Sequence, residues 1–337
     1  METLSERIAE VRARLADLQS GRAGRYLLVK HDPTGLGGQI SRRLLAIRLA
    51  LLTGRTAAFA DENFYPYETA FETLGSVPEV ASQVPTLDLQ NLDRDSRPIV
   101  SLDFWSFWQS QTTKTLVYEY APPEFFGIAN GSLLLDGVAF TGFRLKQTYR
   151  DAIGTSLAKV DALRPVVGIH FRRGDKYVET PYVDSSRYRS ALDAASKRCG
   201  AASVFVSSDS PNALKELMLD SKRFSILFDD KEVRYNNANH KFLMRHREFA
   251  QQETLTAIRN IYALAKCTMV VGQTNAHFAR LAAACIMVTT PGLDFGELIE
   301  PASAPMRWHN RQLYRAYRTA RGVAKAVANR LAPPTGR

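Results

Sequence analysis

Tyr26-Leu27-Leu28-Val29-Lys30 is an apolar run that stops at a lysine, and Pro33-Thr34-Gly35-Leu36-Gly37-Gly38-Gln39 follows it almost at once. The run is short and β-prone enough to read as a buried strand, and the proline and glycines read as a tight turn. A helix is predicted from about Ile40 to Leu52, and Arg55 to Ala60 reads as a second strand. Strand, glycine-rich loop, helix and strand in that order form one βαβ unit of the mononucleotide-binding type.

Working outward, residues 61–135 are aromatic and irregular, with one strand expected at Pro98 to Leu102, and a helix is predicted from about Phe143 to Leu163. A second series begins at Pro165. Strands are expected at Val166–Phe171, Val204–Ser207, Phe224–Phe228, Met269–Val271 and Ile286–Thr289. Helices are expected at Ser185–Arg198, Asn212–Leu219, Glu253–Ala265 and Ala276–Ala284, with Lys231–Phe249 polar and irregular between them. Alternating strands and helices imply parallel sheets. The expected architecture is α/β, with two facing Rossmann-type domains joined near residue 160. The divisions are an amphipathic helix within 1–24, a first domain over 25–160, a second over 161–300 and a basic helix in 301–337. In the first segment Leu4, Ile8, Val11, Leu15 and Leu18 fall on one helix face, which can dock on the body or pair with a second copy as a homodimer.

The chemistry concentrates at Gly168-Ile169-His170-Phe171-Arg172-Arg173-Gly174-Asp175-Lys176, where a buried strand ends. Ligands of open parallel sheets bind at the carboxyl ends of the strands. A histidine, two arginines and a lysine in such a place make an anion site. Arginine binds phosphate through a planar fork whose charge does not depend on pH. Asp175 is placed to orient one of the arginines.

This segment resembles the His-x-Arg-Arg-x-Asp motif of the GDP-fucose-dependent fucosyltransferase superfamily. The form with a following lysine is similar to the α1,6 group, glycosyltransferase family 23. Gly35 to Gln39 with Gly54-Arg55-Thr56, the run Val204 to Pro211 followed by Leu214-Lys215-Glu216, and the stretch Ile258 to Leu281 resemble further family segments in the same order. The resemblance is patchy over residues 25–290 and absent over 61–160. It implies a GT-B fold and an inverting, single-displacement, metal-independent transfer of L-fucose from GDP-β-L-fucose to a hydroxyl of an oligosaccharide or lipid-linked glycan. No cofactor is implied beyond this donor substrate.

The resemblance also implies residue roles. Arg172 would neutralise charge on the departing β-phosphate, with His170 and Arg173 as supporting GDP contacts. Gly35, Gly37, Gly38 and Gln39 would let the backbone approach the pyrophosphate. Asp209 and Asn260 would complete the donor site, with Thr274, Asn275 and Ala276 at the start of a helix. Lys176 would assist a general base. Glu179 falls one position before the family's glutamate, a place held here by Thr180, and Asp184 is the alternative. Asp209 is followed by Ser210 where the family has a second aspartate. Asn260 stands for another aspartate, and Asn275 and Ala276 stand for two serines. These departures keep two other readings open: a catalytically impaired sugar-nucleotide or glycan-binding module, and a transferase for another GDP-sugar.

The remaining features set bounds. With 337 residues, 45% of them hydrophobic, the chain can bury a sizeable core. No run of about 18 apolar residues is present; Leu44 to Thr53 comes nearest and is broken by Arg48. The opening Met1 to Arg7 lacks the pattern of a signal peptide, which reads as a cytoplasmic chain. Cys199, Cys267 and Cys285 read as buried thiols, neither a disulfide framework nor a zinc site. Asp93-Arg94-Asp95 has the spacing of a metal-binding pair but reads as a solvated loop. His240 and His246 lack partner ligands, so no metal is expected. Tyr235 to Asn239 reads as a polar loop that could line the base or sugar pocket. Of the net charge of +10, eight charges lie in residues 301–337. Nucleic-acid binding is therefore not argued for the body. The amphipathic stretch 307–331 is expected to meet either an anionic membrane surface, peripherally, or the body of the protein.

Overall fold

The computed structural model describes residues 2–29, 35–59, 67, 69–72, 84–92, 94–102, 120–174, 181–234, 240–243, 245–292 and 294–301. The basic segment 307–331, the polar loop Tyr235 to Asn239 and Asp93 lie outside them.

Helix α1 (Leu4–Gln19) begins with a reciprocal cap: Glu6 N–H donates to Thr3 Oγ1 at 3.3 Å and Thr3 N–H to Glu6 Oε2 at 2.6 Å. Its stripe residues Ile8, Val11 and Leu15 are buried against the body, so this face docks within the chain. At its far end the Gln19 amide exchanges hydrogen bonds with the Ala57 backbone, at 3.2 and 2.9 Å. That covers an otherwise open strand edge.

The first sheet holds β1 (Tyr26–Val29) between β2 (Thr56–Phe59) and β3 (Ile99–Leu102), all parallel. Helix α2 (Leu36–Leu52) connects β1 to β2 and starts four residues before the predicted Ile40. Gly37, Gly38 and Gln39 therefore lie in the first helical turn, not in a free turn. Gln39 N–H already donates to Gly35 O at 3.0 Å. Packing is the physical reason. A Cβ on Gly37 would sit 2.7 Å from the Phe278 ring, so the glycine is present for close approach.

Helix α3 (Gly131–Thr141) was not predicted. Leu133, Leu134, Leu135, Val138 and Phe140 are all buried, so it shows no polar face and hence no amphipathic period. Helix α4 (Gln147–Ala162) replaces the longer helix expected from Phe143.

The second sheet is built from β4 (Val166–Phe171), β5 (Ser203–Ser208), β6 (Ser225–Leu227), β7 (Met269–Gln273) and β8 (Gly296–Ile299). Between them run α5 (Ser185–Cys199), α6 (Ala213–Leu217), α7 (His240–Leu243), α8 (Arg247–Lys266) and α9 (His277–Thr289). The sheet is parallel, in the order β6-β5-β4-β7-β8. Its order reverses between β4 and β7, which opens a crevice at their carboxyl ends. Two expectations are corrected here. Ile286 to Thr289 is the last turn of α9, not a strand, and α8 begins six residues before the predicted Glu253. The β-branched run at 286–289 is overridden by packing: a Cβ on Gly137 of α3 would lie 2.1 Å from the Ala284 carbonyl oxygen, so α3 and α9 touch backbone to side-chain-free backbone.

The largest core cluster joins Leu27, Leu44, Leu134 and Phe140 of the first half to Ile258, Ile261, Leu281 and Cys285 of the second. Arg48, which breaks the apolar run of α2, is buried in this seam. Its Nε donates to Asp136 Oδ1 at 2.9 Å and its Nη2 to Ser132 O at 2.6 Å, while Arg280 Nη2 approaches Asp136 Oδ2 at 3.8 Å. α2, α3 and α9 are thus tied through one carboxylate. Burial raises the thiols of Cys267 and Cys285, the latter to about 12, while Cys199 is only half-buried. The Asp-x-Asp reading is corrected for Asp95, which is buried and ion-paired with Arg97 and Arg55. Among the described residues no helix is long and apolar enough to cross a membrane.

Candidate functional site

Strand β4 is buried along its whole length and delivers Arg172 and Arg173 to the crevice at its carboxyl end. The two arginines face different ways. Arg173 points inward: Nε donates to Glu216 Oε2, Nη1 to Val183 O and Nη2 to Ser185 Oγ, each at 2.9 Å. Its guanidinium also lies 3.8 Å from the centre of the Phe171 ring. Expected as a GDP contact, Arg173 is placed instead to clamp the strand end to α5 and α6. Arg172 stays partly exposed and donates through Nη1 to Asp209 Oδ2. The other oxygen of Asp209 accepts from the Arg173 backbone N–H at 2.7 Å. One carboxylate at the end of β5 therefore aims Arg172.

Gly174 seals this arrangement. It has φ +49°, and a Cβ there would lie 2.3 Å from Asp209 Oδ2. Only glycine fits, for conformation and for space. Its place inside the basic motif was the available signal, though sequence reasoning gave it no role.

Two helix starts meet beside His170, on the strand that leads into Arg172. The Gly37 position in the first turn of α2 lies against Phe278 and His277, the opening residues of α9. His170 is buried and stacks on Phe278, with centroids 5.3 Å apart and planes at 29°. A Cβ on Gly272 would clash with Ala279 at 2.3 Å, so β7 also hugs α9. Gly37 in the first turn of α2 thus allows the starts of α2 and α9 to converge, and Gly272 in β7 lets that strand support α9. Each terminus carries roughly half a positive charge, from N–H groups with no intrahelical partner. Together with a guanidinium they favour an anion with more than one negative charge.

The loop before α9 is less open than its sequence suggests. Thr274 N–H donates to Ile299 O and Ala276 N–H to Gln273 O, both at 3.1 Å, and Thr274 Oγ1 donates to Glu300 Oε2 at 2.7 Å. Asn275 is half-buried beside them. The first turn of α9, not the loop itself, presents the N–H groups. Gln273 is fully buried and fixes the floor, donating to Tyr188 Oη at 2.7 Å.

Asn260, on α8, is buried and donates to Glu232 Oε2 at 3.1 Å. Glu232 also meets Arg259, and Arg234 at 3.3 Å, while Arg234 Nε reaches the Ser208 carbonyl at 3.2 Å. Burial pushes the Glu232 carboxyl up, against the pull of the two arginines. A carboxylate from the loop after β6 thus stands beside the asparagine that lacks one. Sequence reasoning missed Glu232 because it lay in a stretch read as irregular.

Asp184 caps α5, accepting from Ser186 N–H at 2.7 Å, and that hydrogen bonding holds its carboxyl below the ordinary range. A carboxylate so engaged is a weak base. Asp175, Lys176, Glu179 and Thr180 lie outside the described residues.

No protein-family model matches the chain, and no curated protein matches it. Solved structures do resemble it. One is the NodZ alpha-1,6-fucosyltransferase soaked with GDP-fucose, at 16% identity over 78% of this chain and 92% of that one, with a TM-score of 0.44. A variant of Arabidopsis thaliana FUT1 in complex with GDP shares 13% identity over 82% of this chain and 72% of that one, with a TM-score of 0.44. POFUT1 in complex with GDP-fucose shares 10% identity over 84% and 99% of the two chains, with a TM-score of 0.40.

Proposed function

We propose that this chain is an inverting fucosyltransferase that moves L-fucose from GDP-β-L-fucose to a glycan hydroxyl without a metal ion. The observation that carries the reading is the aimed Arg172 at the end of the strand beside which two helix N-termini meet, on the crevice where the sheet order reverses. A diphosphate is the dianion that such a site fits. The motif resemblance from His170 to Lys176 narrows the nucleotide to GDP and the sugar to fucose.

In the reaction the acceptor O–H gives its proton to a carboxylate and its oxygen forms a bond to the sugar C1. The C1–O bond to the β-phosphate breaks, and GDP leaves with the electron pair. Arg172 and the helix starts meet that growing charge, doing the work a metal does elsewhere. Asp209 holds Arg172, and Gly35 to Gln39 bring α2 close to the pyrophosphate. Glu179 is assigned as base, with Lys176 assisting it and Asp175 orienting one of the arginines.

GDP and GDP-fucose are expected to bind with the same affinity in excess EDTA as in magnesium, by calorimetry, and radiolabelled fucose should still be transferred. Loss of either on chelation overturns the metal-free reading. Failure to bind GDP under both conditions overturns the donor assignment.

Glu179→Gln is expected to lower turnover about 10²–10⁴-fold, the usual loss for a general base, with GDP affinity unchanged. A variant that keeps its turnover removes Glu179 from the mechanism.

A further inference from the structure

Three aromatic rings gather on the surface where α7 meets α8. Phe242 is 42% exposed and Phe249 is 37% exposed. Phe242 stacks on His246 at 4.1 Å with planes at 29°, and Phe249 closes on Phe242 at 5.0 Å. The rings thus form one contiguous, partly exposed aromatic patch.

Topology says which surface this is. The C-terminal end of α8 lies at the amino edge of the second sheet, where Lys266 Nζ meets Asp161 Oδ2 at 3.2 Å just ahead of β4. The start of α8 therefore lies beyond the carboxyl edge, on the side of Arg172. The helix face agrees. At ~100° per residue, His246, Phe249, Glu253 and Asn260 fall within about 60° of one another. Asn260 faces the site through Glu232. The stripe is buried at Glu253 and reaches the surface at Phe249 and His246. At ~1.5 Å per residue Phe249 lies roughly 16 Å along the axis from Asn260. Next to this stripe on the same side of α8, Ala250 and Ala257 enter the core that joins the two halves, as does Leu243 of α7, so the rings sit at the mouth of the seam.

We propose that Phe242, His246 and Phe249 form a saccharide subsite that holds the outer units of the acceptor, a few rings away from the reacting hydroxyl. This rests on the glycosyltransferase reading above. The occupant follows from the chemistry. A gluco-configured pyranose has equatorial hydroxyls, so its flat faces present only C–H groups. Such a face can cover an aromatic ring while every hydroxyl remains in water. His246 adds a ring nitrogen at the rim, where Nδ1 lies 3.6 Å from Glu248 Oε1.

The test uses the full chain and two probes, cellotetraose and chitotetraose, titrated with detection by saturation-transfer NMR and calorimetry. At least one tetrasaccharide should bind without GDP present. Phe249→Ala and Phe242→Ala should each weaken it about tenfold, Phe249→Trp should retain it, and GDP affinity should stay unchanged in all three. Retention by the tryptophan variant separates lost stacking from lost folding. Unchanged saccharide affinity in the alanine variants overturns the proposal. So does wild-type protein that binds GDP but neither tetrasaccharide, or a double alanine variant that only alters self-association in sedimentation. Failure to bind GDP alongside ring-dependent saccharide binding would overturn the donor reading and leave this subsite standing.

Discussion

Arg172→Lys is expected to lower fucosyl transfer about 10²–10³-fold while leaving the fold intact, because transition-state charge loses a placed donor. Lysine keeps the charge but replaces a planar fork with a single ammonium. In the structure one arm of that fork is held by Asp209, which also accepts from the Arg173 backbone at 2.7 Å. A lysine cannot satisfy Asp209 and a phosphate along the same two directions. Turnover should therefore fall much more than GDP-fucose affinity, since charge on the β-phosphate is greater in the transition state than in the bound donor. Arg173→Lys should behave differently. Its three protein acceptors span α5, α6 and the loop between β4 and α5, so its loss should appear first in thermal stability. Steady-state kinetics and a melting curve on the two variants check both statements. A fully active Arg172→Lys protein would remove the phosphate role.

Asp95→Asn is expected to cost about 3–5 kcal/mol, the range for breaking a buried ion pair from one side. Arg55 is fully buried, and its guanidinium donates to the carbonyls of Arg97 at 2.7 Å and Asp95 at 2.7 Å. Its Nη2 lies 3.7 Å from the Asp95 carboxylate, and Arg97 donates to that carboxylate from Nε at 2.8 Å. The asparagine leaves Arg55 charged and buried without its counter-ion. A loss of this size lowers Tm by on the order of 10 °C in a chain of this length. The pH dependence has a definite sign. The hydrogen bonds from Arg97, the largest cause, hold the Asp95 carboxyl well below its ordinary value of 3.8. A depressed carboxyl contributes stability that is complete above its unfolded value and is lost as pH falls towards its folded one. Wild-type protein should lose this contribution progressively below about pH 4, and Asp95→Asn should lack that part of the slope. Chemical denaturation at several pH values reads it directly. A variant as stable as wild type at pH 7 would show that the network carries no net stability.

Whatever depends on neighbours along the chain is legible in the order of residues. The strands at Tyr26 and Val166, the stripe of α1 and the order of strands and helices follow from local hydrophobic period. The expectation of anion chemistry arises at Arg172 because the cations stand together on one strand end. What lies between distant segments required the tertiary structure. Two adjacent arginines look alike in sequence; only the packing of Val183, Ser185 and Glu216 turns one inward, while the other stays partly exposed against Asp209. Gly37 reads as a turn until Phe278 is seen against it, and Asp95 reads as solvated until Arg55 is found beneath it. Glu232 stands beside Asn260 from another element, and Ile286 to Thr289 stays helical because α3 packs on α9. The physical reason is common to all of these. Local propensity differs by only tenths of a kcal/mol per residue. Burial and ion pairing between remote segments are worth whole kcal/mol, and they decide where the two disagree.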